Sequence, residues 1–115
     1  MPRFVILEHD HPELHWDLML EVGSVLKTWR LAKAPEMREE AIAAEPLGDH
    51  RLFYLNYEGP VSGARGKVTR WDEGSYQSLA AEAGQALHVL LDGNRVQGSA
   101  VMERHAGGWV FRIGH

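Results

Sequence analysis

The chain has 115 residues, of which 44% are hydrophobic, and this size suits a single domain spanning residues 1–115. It contains no cysteine, which excludes a disulfide scaffold, a thiol nucleophile and a thiolate metal site. The net charge of −4 argues against a broad nucleic-acid-binding coat, and the lack of a signal sequence or bilayer-length apolar run leads us to expect a cytoplasmic protein without membrane contact.

The first predicted element is a β-hairpin. Residues 4–7 form an apolar, β-prone run, residues 10–13 have the composition of a turn, and residues 14–21 alternate strictly between apolar and polar side chains. A period of two places Leu14 and Leu18 on an apolar face, which we expect to be core. His15 and Asp17 then lie on the opposite, polar face.

Three side chains of this hairpin have the spacing of a metal site. His15 and Asp17 are neighbours on the polar face, and His9 reaches them from the end of the partner strand. Imidazole nitrogen and carboxylate oxygen are ligands for Mn, Fe, Zn or Ni. The alternative that spacing leaves open is a solvated histidine and aspartate on a half-exposed strand.

The rest of the chain predicts a β protein. We expect two stretches rich in alanine and glutamate, residues 35–44 and 78–86, to form a helical turn or two. Hairpin turns are predicted at residues 92–94 and 105–108. Further strands are predicted over residues 25–31, 50–57, 66–71 (closed by a turn at 72–74), 87–91, 95–103 and 109–113. The predicted fold is mainly β: a small closed or partly open antiparallel β-barrel of about seven to eight strands, with one or two short helical turns.

A second group of chemically useful side chains lies in the predicted strand 50–57. Alternation puts His50 and Tyr54 on one face, where they can share a phosphate or a proton. The alternative is structural: a hydrogen-bonded histidine at a strand start and a barrel-lining phenol.

An ordered set of motifs resembles a known family. The set comprises F-V-x-x-E-H-x(5)-H-x-D-L-x-L-E over residues 4–21, L-K-T-W over 26–29 with Lys33, D-H-x(3)-Y over 49–54, Y-E-G over 57–59 and W-D-x-G over 71–74. Together these motifs resemble the 3′-phosphoesterase domain of bacterial DNA ligase D. The resemblance implies a small β-barrel that uses Mn²⁺ to remove a 3′-terminal ribonucleotide, and then the 3′-phosphate, during double-strand break repair.

The resemblance also implies roles for individual residues. It makes the three hairpin side chains metal ligands, with Mn²⁺ expected and Zn²⁺ or another divalent metal as alternatives. His50 and Tyr54 become contacts to the scissile phosphate, His50 also a proton donor, and Lys33 a supporting cation. The implied partners are nucleic-acid 3′ ends on primer-template DNA or RNA–DNA, together with a separate ligase, polymerase or Ku-like protein.

One departure from the family pattern affects the expected chemistry. The family has an arginine two residues beyond the metal-binding aspartate, and this chain has Met19 there. An apolar side chain cannot replace a bidentate guanidinium. Either Arg51, Arg65, Lys67 or Arg70 supplies the charge, with Arg51 and Arg65 expected at the substrate phosphate, or phosphate binding and catalysis are weakened.

Three functions therefore compete. The first is a Mn²⁺-dependent phosphoesterase acting on nucleic-acid 3′ ends. The second is a non-catalytic or weakly active module that binds metal and a phosphorylated end within a repair complex. The third is a small metalloenzyme acting on an unrelated phosphoester.

Overall fold

The computed structural model describes residues 1–36 and 40–114. A 3₁₀ helix spans Leu52–Asn56. The strands are β1 (Arg3–His9), β2 (His15–Val22), β3 (Val25–Leu31), β4 (Ile42–Pro46), β5 (His50–Arg51), β6 (Gly59–Pro60), β7 (Lys67–Ser78), β8 (Gln85–Gly93), β9 (Gln97–His105) and β10 (Gly108–Gly114). Within this described part, no helix has the length and apolar character needed to cross a membrane.

The long strands close into an irregular antiparallel ring. In the described ranges, eight strands follow the order β1-β2-β3-β4-β10-β9-β8-β7, and β7 pairs back with β1. The two-residue strands β5 and β6 attach to β3 and β7 respectively. This arrangement confirms the mainly β, closed antiparallel architecture predicted from the sequence.

The predicted strand 50–57 is wrong beyond its first two residues. Only His50 and Arg51 pair with β3, and the chain then turns into the 3₁₀ helix. Residues three apart lie on the same side of such a helix. Leu52 and Leu55 use this spacing to pack on the outer face of β1 and β2, and this burial favours the turn over a continued strand.

The predicted turn at residues 72–74 is also wrong, because strand β7 continues through it, with an irregularity in its pairing with β1 between Arg70 and Asp72. The carboxylate of Asp72 is buried and accepts backbone N–H bonds from Asn94 at 2.8 Å and Val96 at 2.9 Å. A Cβ at Gly74 would lie 2.0 Å from the carbonyl oxygen of Asp92, so glycine allows β7 and β8 to approach closely. The W-D-x-G motif therefore allows the close approach of β7 and β8 and fixes the β8–β9 turn.

The predicted helical turns do not form where the structure can be compared. In the first stretch, residues 37–39 lie outside the described residues, and the chain from Ile42 is strand β4. Residues 79–84 are a loop before β8. β4 joins β3 to β10 and helps close the ring, so tertiary pairing overrides local helix propensity here.

The hydrophobic residues form two layers. The larger cluster fills the ring and includes Phe4, Leu18 and Phe111. The second lies on the other face of β1, β2 and β3, under the segment from β5 to Val61, and its buried members are Val5, Leu7, Met19, Leu26, Leu55 and Val68. The polar face predicted for β2 is therefore covered rather than half-exposed. Conversely, Leu14, predicted as core, precedes β2 and is 53% exposed.

Tyr76 links β7 to β2 by a hydrogen bond, and its raised pKa makes the stability of the fold depend on pH. Its hydroxyl donates a hydrogen bond of 2.6 Å to the carbonyl oxygen of Glu21, and burial, with a smaller contribution from the Glu21 carboxylate, raises the pKa of Tyr76 above 10. A raised folded-state pKa means that this stabilisation is fully present below pH 10 and is lost as the pH rises through the folded value.

We expect Tyr76→Phe to lower the free energy of unfolding by about 1 kcal/mol at pH 7, the net contribution of one hydrogen bond. The variant should then lose less stability than the wild type when the pH is raised above 10. Urea unfolding of both proteins between pH 7 and 11 measures this difference. Parallel stability curves would show that the Tyr76 phenol does not contribute to the pH dependence.

Candidate active site

A cleft of about 220 Å³ lies between the outer face of β1–β3 and the segment that covers it. Met19, Val61 and Val68 form apolar parts of its wall. Its polar side chains come from both layers: His9, His11, His15, Asp17, Arg30, His50, Tyr54 and Arg65. The cleft thus combines titratable groups with an apolar wall that limits water, which is typical of a binding site.

The hairpin brings the three predicted metal ligands together. His9 is the last residue of β1 and pairs directly with His15, the first residue of β2, while Asp17 lies one step further on the same face. Nε2 of His15 is 3.2 and 3.3 Å from the two carboxylate oxygens of Asp17, and Nδ1 of His9 is 3.7 Å from one of them. One donor atom from each residue lies within 4.8 Å of the others.

Backbone carbonyls fix the outer nitrogen of each histidine. Nδ1 of His15 is 2.8 Å from the carbonyl oxygen of Glu13, and Nε2 of His9 is 2.8 Å from that of Arg65. Because a carbonyl only accepts, these two nitrogens must donate. The other nitrogen of each ring points towards the carboxylate of Asp17 and is the atom that would bind a metal ion. This is the arrangement in which metal-binding histidines are held.

The three residues fit a divalent metal ion. His15 and Asp17 are only 5% and 4% exposed. Oδ1 of Asp17 is buried, and in the described part of the chain it accepts no hydrogen bond. A buried carboxylate oxygen without a hydrogen-bond donor is costly, and a bound cation would satisfy it. Nitrogen and oxygen donors of this kind suit Mn²⁺ or Zn²⁺.

A glycine brings the carbonyl of Arg65 to His9. Gly66 has a φ of +73°, and a Cβ there would lie 2.1 Å from Oδ1 of Asp10 and 2.7 Å from Cβ of His11. The same Asp10 oxygen accepts the backbone N–H of Lys67 at 2.8 Å. Positive φ and close packing together require glycine at this position. The loop over residues 61–66 therefore helps to orient a candidate ligand.

The opposite wall carries the groups predicted to contact phosphate. Nδ1 of His50 donates to the carbonyl oxygen of Gly48 at 2.9 Å, which leaves Nε2 for a substrate. The rings of His50 and Tyr54 meet edge to face with centroids 5.8 Å apart. The 3₁₀ helix, rather than strand alternation, makes them neighbours. Arg65 also lines the cleft, with its guanidinium held by the carbonyl oxygen of Ser62 at 2.7 Å.

Two other predicted residues lie outside the cleft. Nζ of Lys33 is exposed and 3.4 Å from Oε1 of Glu40. The guanidinium of Arg51 lies 5.4 Å from the ring centre of Phe53 and 6.0 Å from that of Tyr54. The structure therefore does not bring Lys33 to the candidate ligands, and it places Arg51 at the rim.

The two alternative cations on β7, Lys67 and Arg70, also lie outside the cleft lining. Arg70 forms ion pairs with Glu58 at 3.8 Å and Glu73 at 3.5 Å, away from the cleft lining. Lys67 is exposed at the start of the strand. Of the four cations proposed to replace the family arginine, Arg65 is the one that lines the cleft.

Arg30 was missed by the sequence analysis. It lies on β3 directly opposite Asp17 and lines the same cleft. The sequence contains a signal for its position. The two-residue turn between Val22 and Val25 sets a register in which residue 30 lies opposite residue 17. The alternation of residues 25–31 predicts a strand but does not by itself identify the residue opposite Arg30.

Comparison with known proteins places the chain in a family. The profile of the DNA Ligase D 3′-phosphoesterase domain matches residues 7–104. A multifunctional non-homologous end joining protein LigD from Pseudomonas aeruginosa is 32% identical over 108 residues, which cover 84% of this chain and 12% of that protein. The corresponding protein of Mycolicibacterium smegmatis is 30% identical over 123 residues, covering 94% of this chain and 16% of the relative.

A third relative, the multifunctional non-homologous end joining DNA repair protein LigD of Mycobacterium tuberculosis, is 32% identical over 112 residues, covering 90% of this chain and 15% of that protein. The chain thus spans 12 to 16% of the length of these relatives. The match nevertheless extends over most of this chain, including both walls of the cleft. The chain belongs to the DNA ligase D 3′-phosphoesterase domain family.

Proposed function

We propose that this chain is a Mn²⁺-dependent phosphoesterase that removes 3′-terminal ribonucleotides and 3′-phosphates from nucleic-acid ends. The observation that carries the proposal is the composition of one cleft. Two histidines and a buried aspartate form one wall, and a histidine, a tyrosine and an arginine face them. Metal-catalysed hydrolysis of a phosphoester requires side chains that bind a metal ion opposite side chains that donate hydrogen bonds to the phosphate.

In the proposed reaction, a water oxygen bonds to phosphorus and releases one proton to the solvent, and the bond from phosphorus to the leaving oxygen breaks. Mn²⁺, when bound by His9, His15 and Asp17, supplies Lewis acidity toward a phosphate oxygen. His50 in its protonated form gives the proton on Nε2 to the leaving oxygen, while Nδ1 keeps its bond to the backbone. The Tyr54 hydroxyl donates to a second phosphate oxygen.

The family and the names of its relatives support a role in non-homologous end joining. The proposed substrate is a primer-template 3′ end, and the proposed partners are a ligase, a polymerase and a Ku-like protein acting on the same break. A non-catalytic end-binding module is the second candidate. Met19 favours it, because this cleft residue offers no hydrogen-bond donor to the transition state.

Turnover tests these two candidates. Labelled primer-templates ending in a 3′-ribonucleotide or a 3′-phosphate are incubated with the protein, with and without Mn²⁺, Zn²⁺ or Co²⁺. Release of ribonucleoside or phosphate that requires a metal supports the enzyme. Tight binding of the phosphorylated end without turnover in any of these metals overturns the enzyme in favour of the end-binding module.

An exposed aromatic side chain favours nucleic acid over a small phosphoester as the substrate. Phe53 is 53% exposed beside the cleft, its ring 4.7 Å from that of Tyr57. The Arg51 guanidinium covers part of the same ring. Aromatic rings next to a cation are surfaces on which nucleobases stack. We infer that the base of the terminal nucleotide rests on Phe53 while its phosphate enters the cleft.

We expect Phe53→Ala to weaken binding of a 3′-phosphorylated oligonucleotide by about 5- to 150-fold, since one stacked base contributes roughly 1–3 kcal/mol. Hydrolysis of p-nitrophenyl phosphate, which has no base, should be unchanged. Phe53→Tyr, which keeps the stacking surface, is the matched control. Equal losses on both substrates would show that Phe53 only supports the 3₁₀ helix.

A further inference from the structure

We propose that Arg30 is a phosphate-binding residue of this cleft, donating from its guanidinium to an oxygen of the substrate's terminal phosphate. This inference rests on the proposed function. It gives the site a cation on β3, a strand to which the sequence motifs assign no role in phosphate binding. Three independent features of Arg30 support it: an unsatisfied donor, a charge with only one long surface ion pair and its register against the candidate metal ligands.

The first feature is a buried donor without an acceptor. Nε of Arg30 is inaccessible to solvent and has no hydrogen-bond partner within residues 1–36 and 40–114. A buried N–H group without an acceptor destabilises the protein. The side chain lines the main cleft and also a smaller cleft behind it, between the turn before β2 and the end of β3. A phosphate oxygen in the main cleft would supply the missing acceptor.

The second feature is the charge. Arg30 forms an ion pair with Glu45 at the long N···O distance of 4.0 Å, and the Glu45 side chain is mostly exposed. Such a surface pair contributes little. In contrast, Arg65 uses Nε and one terminal nitrogen to hold Ser62, and Arg70 pairs with two glutamates. Arg30 and Arg65 both line the cleft, but Nε of Arg65 is already bonded to Ser62, whereas Nε of Arg30 has no acceptor among the described residues.

The third feature is register. Arg30 is the cross-strand partner of Asp17, so both side chains project from the same face of the sheet. Met19, which pairs with Thr28, is the diagonal neighbour of Arg30 on that face. Long side chains reach across such a diagonal. A guanidinium from position 30 can therefore approach the same volume as one from position 19, beside the candidate ligands.

The test compares two oligonucleotides that differ only at the 3′ end, phosphate or hydroxyl, bound in the presence of Mn²⁺. Wild-type protein should prefer the phosphorylated end, and Arg30→Gln should reduce that preference by about 10- to 100-fold, the effect of losing a charged hydrogen bond. Arg30→Lys, which keeps the charge but not the planar fork, should fall between them. Arg112→Gln, which removes an exposed arginine on β10, is the control.

A rescue variant separates phosphate binding from a structural role. Adding Met19→Arg to Arg30→Gln should restore most of the preference for the phosphorylated end, whereas Met19→Arg alone should give a much smaller gain. Mn²⁺ affinity should stay unchanged throughout. Loss of Mn²⁺ binding in Arg30→Gln, or a loss that Met19→Arg does not restore, would assign Arg30 a structural role and overturn the proposal.

The failure of this inference differs from failure of the proposed function. If the wild type prefers and hydrolyses the phosphorylated end but Arg30→Gln and Arg30→Lys do so equally well, the inference about Arg30 is wrong and the enzyme stands. If the wild type neither prefers nor hydrolyses that end, the proposed function is wrong, and with it the role of Arg30.

Discussion

Replacing His50 with alanine should lower kcat on a 3′-phosphate primer by about 10²- to 10⁴-fold, the usual contribution of a positioned acid or base. The expectation follows from the position of the ring: its Nδ1 is fixed by the carbonyl of Gly48, and it lines the cleft opposite the candidate metal ligands. Phosphate release from a labelled primer-template with saturating Mn²⁺ measures the loss.

Two measurements show whether the loss of kcat comes from the catalytic step rather than from weaker metal binding or folding. Mn²⁺ affinity should stay nearly intact in His50→Ala, since His50 is not part of the three-residue ligand cluster. Tyr54→Phe removes only a hydroxyl and keeps the ring that packs beside His50 and Phe53, so its loss of kcat should be smaller and its stability unchanged. A His50→Ala variant with wild-type kcat would contradict the assigned role of proton donor.

The second large effect concerns metal binding. His15→Ala should weaken Mn²⁺ binding by at least about tenfold, because removing a ligand should cost no less than removing a group that only orients one. His15 is buried, its Nδ1 is held by a carbonyl, and its Nε2 faces Asp17. Titration calorimetry with Mn²⁺ and with Zn²⁺ measures the affinity directly, without relying on turnover.

His105→Ala provides the matched control, because His105 is an exposed histidine at the end of β9 that lies near Glu103 and far in sequence from the hairpin. It should bind Mn²⁺ as the wild type does. Circular dichroism on both variants checks that folding is retained. Unchanged Mn²⁺ affinity in a folded His15→Ala protein would rule out the proposed ligand set.

The candidate metal cluster was predictable from the sequence because it depends on short-range geometry. A strand has a period of two, and a hairpin returns the chain beside itself, so residues 9, 15 and 17 meet whatever the rest of the chain does. Arg30 needed only one more hairpin, through the turn after Val22. That position could have been predicted by extending the register from β2 to β3.

The burial of this cluster was not predictable from strand alternation. The pattern in β2 shows one apolar and one polar face, and a polar face is usually solvated. In the structure the segment from β5 to Val61 folds over it, adding a second hydrophobic layer around Met19 and Leu55. This cover turns a surface patch into a cleft, and its placement depends on contacts between residues far apart in the chain, such as the pairing of β5 with β3.

The sequence by itself determined the class of fold, the hairpin that carries the candidate ligands and, through its ordered motifs, the family. These features depend on alternation, turn composition and spacing, which are local properties of the chain. Only the tertiary structure decided that His50 and Tyr54 meet through a 3₁₀ helix. It also decided that Asp72 accepts hydrogen bonds from the β8–β9 turn and that Lys33 lies outside the cleft. The physical reason is that ring closure and burial of the second layer are set by long-range pairing and packing, which override local propensity.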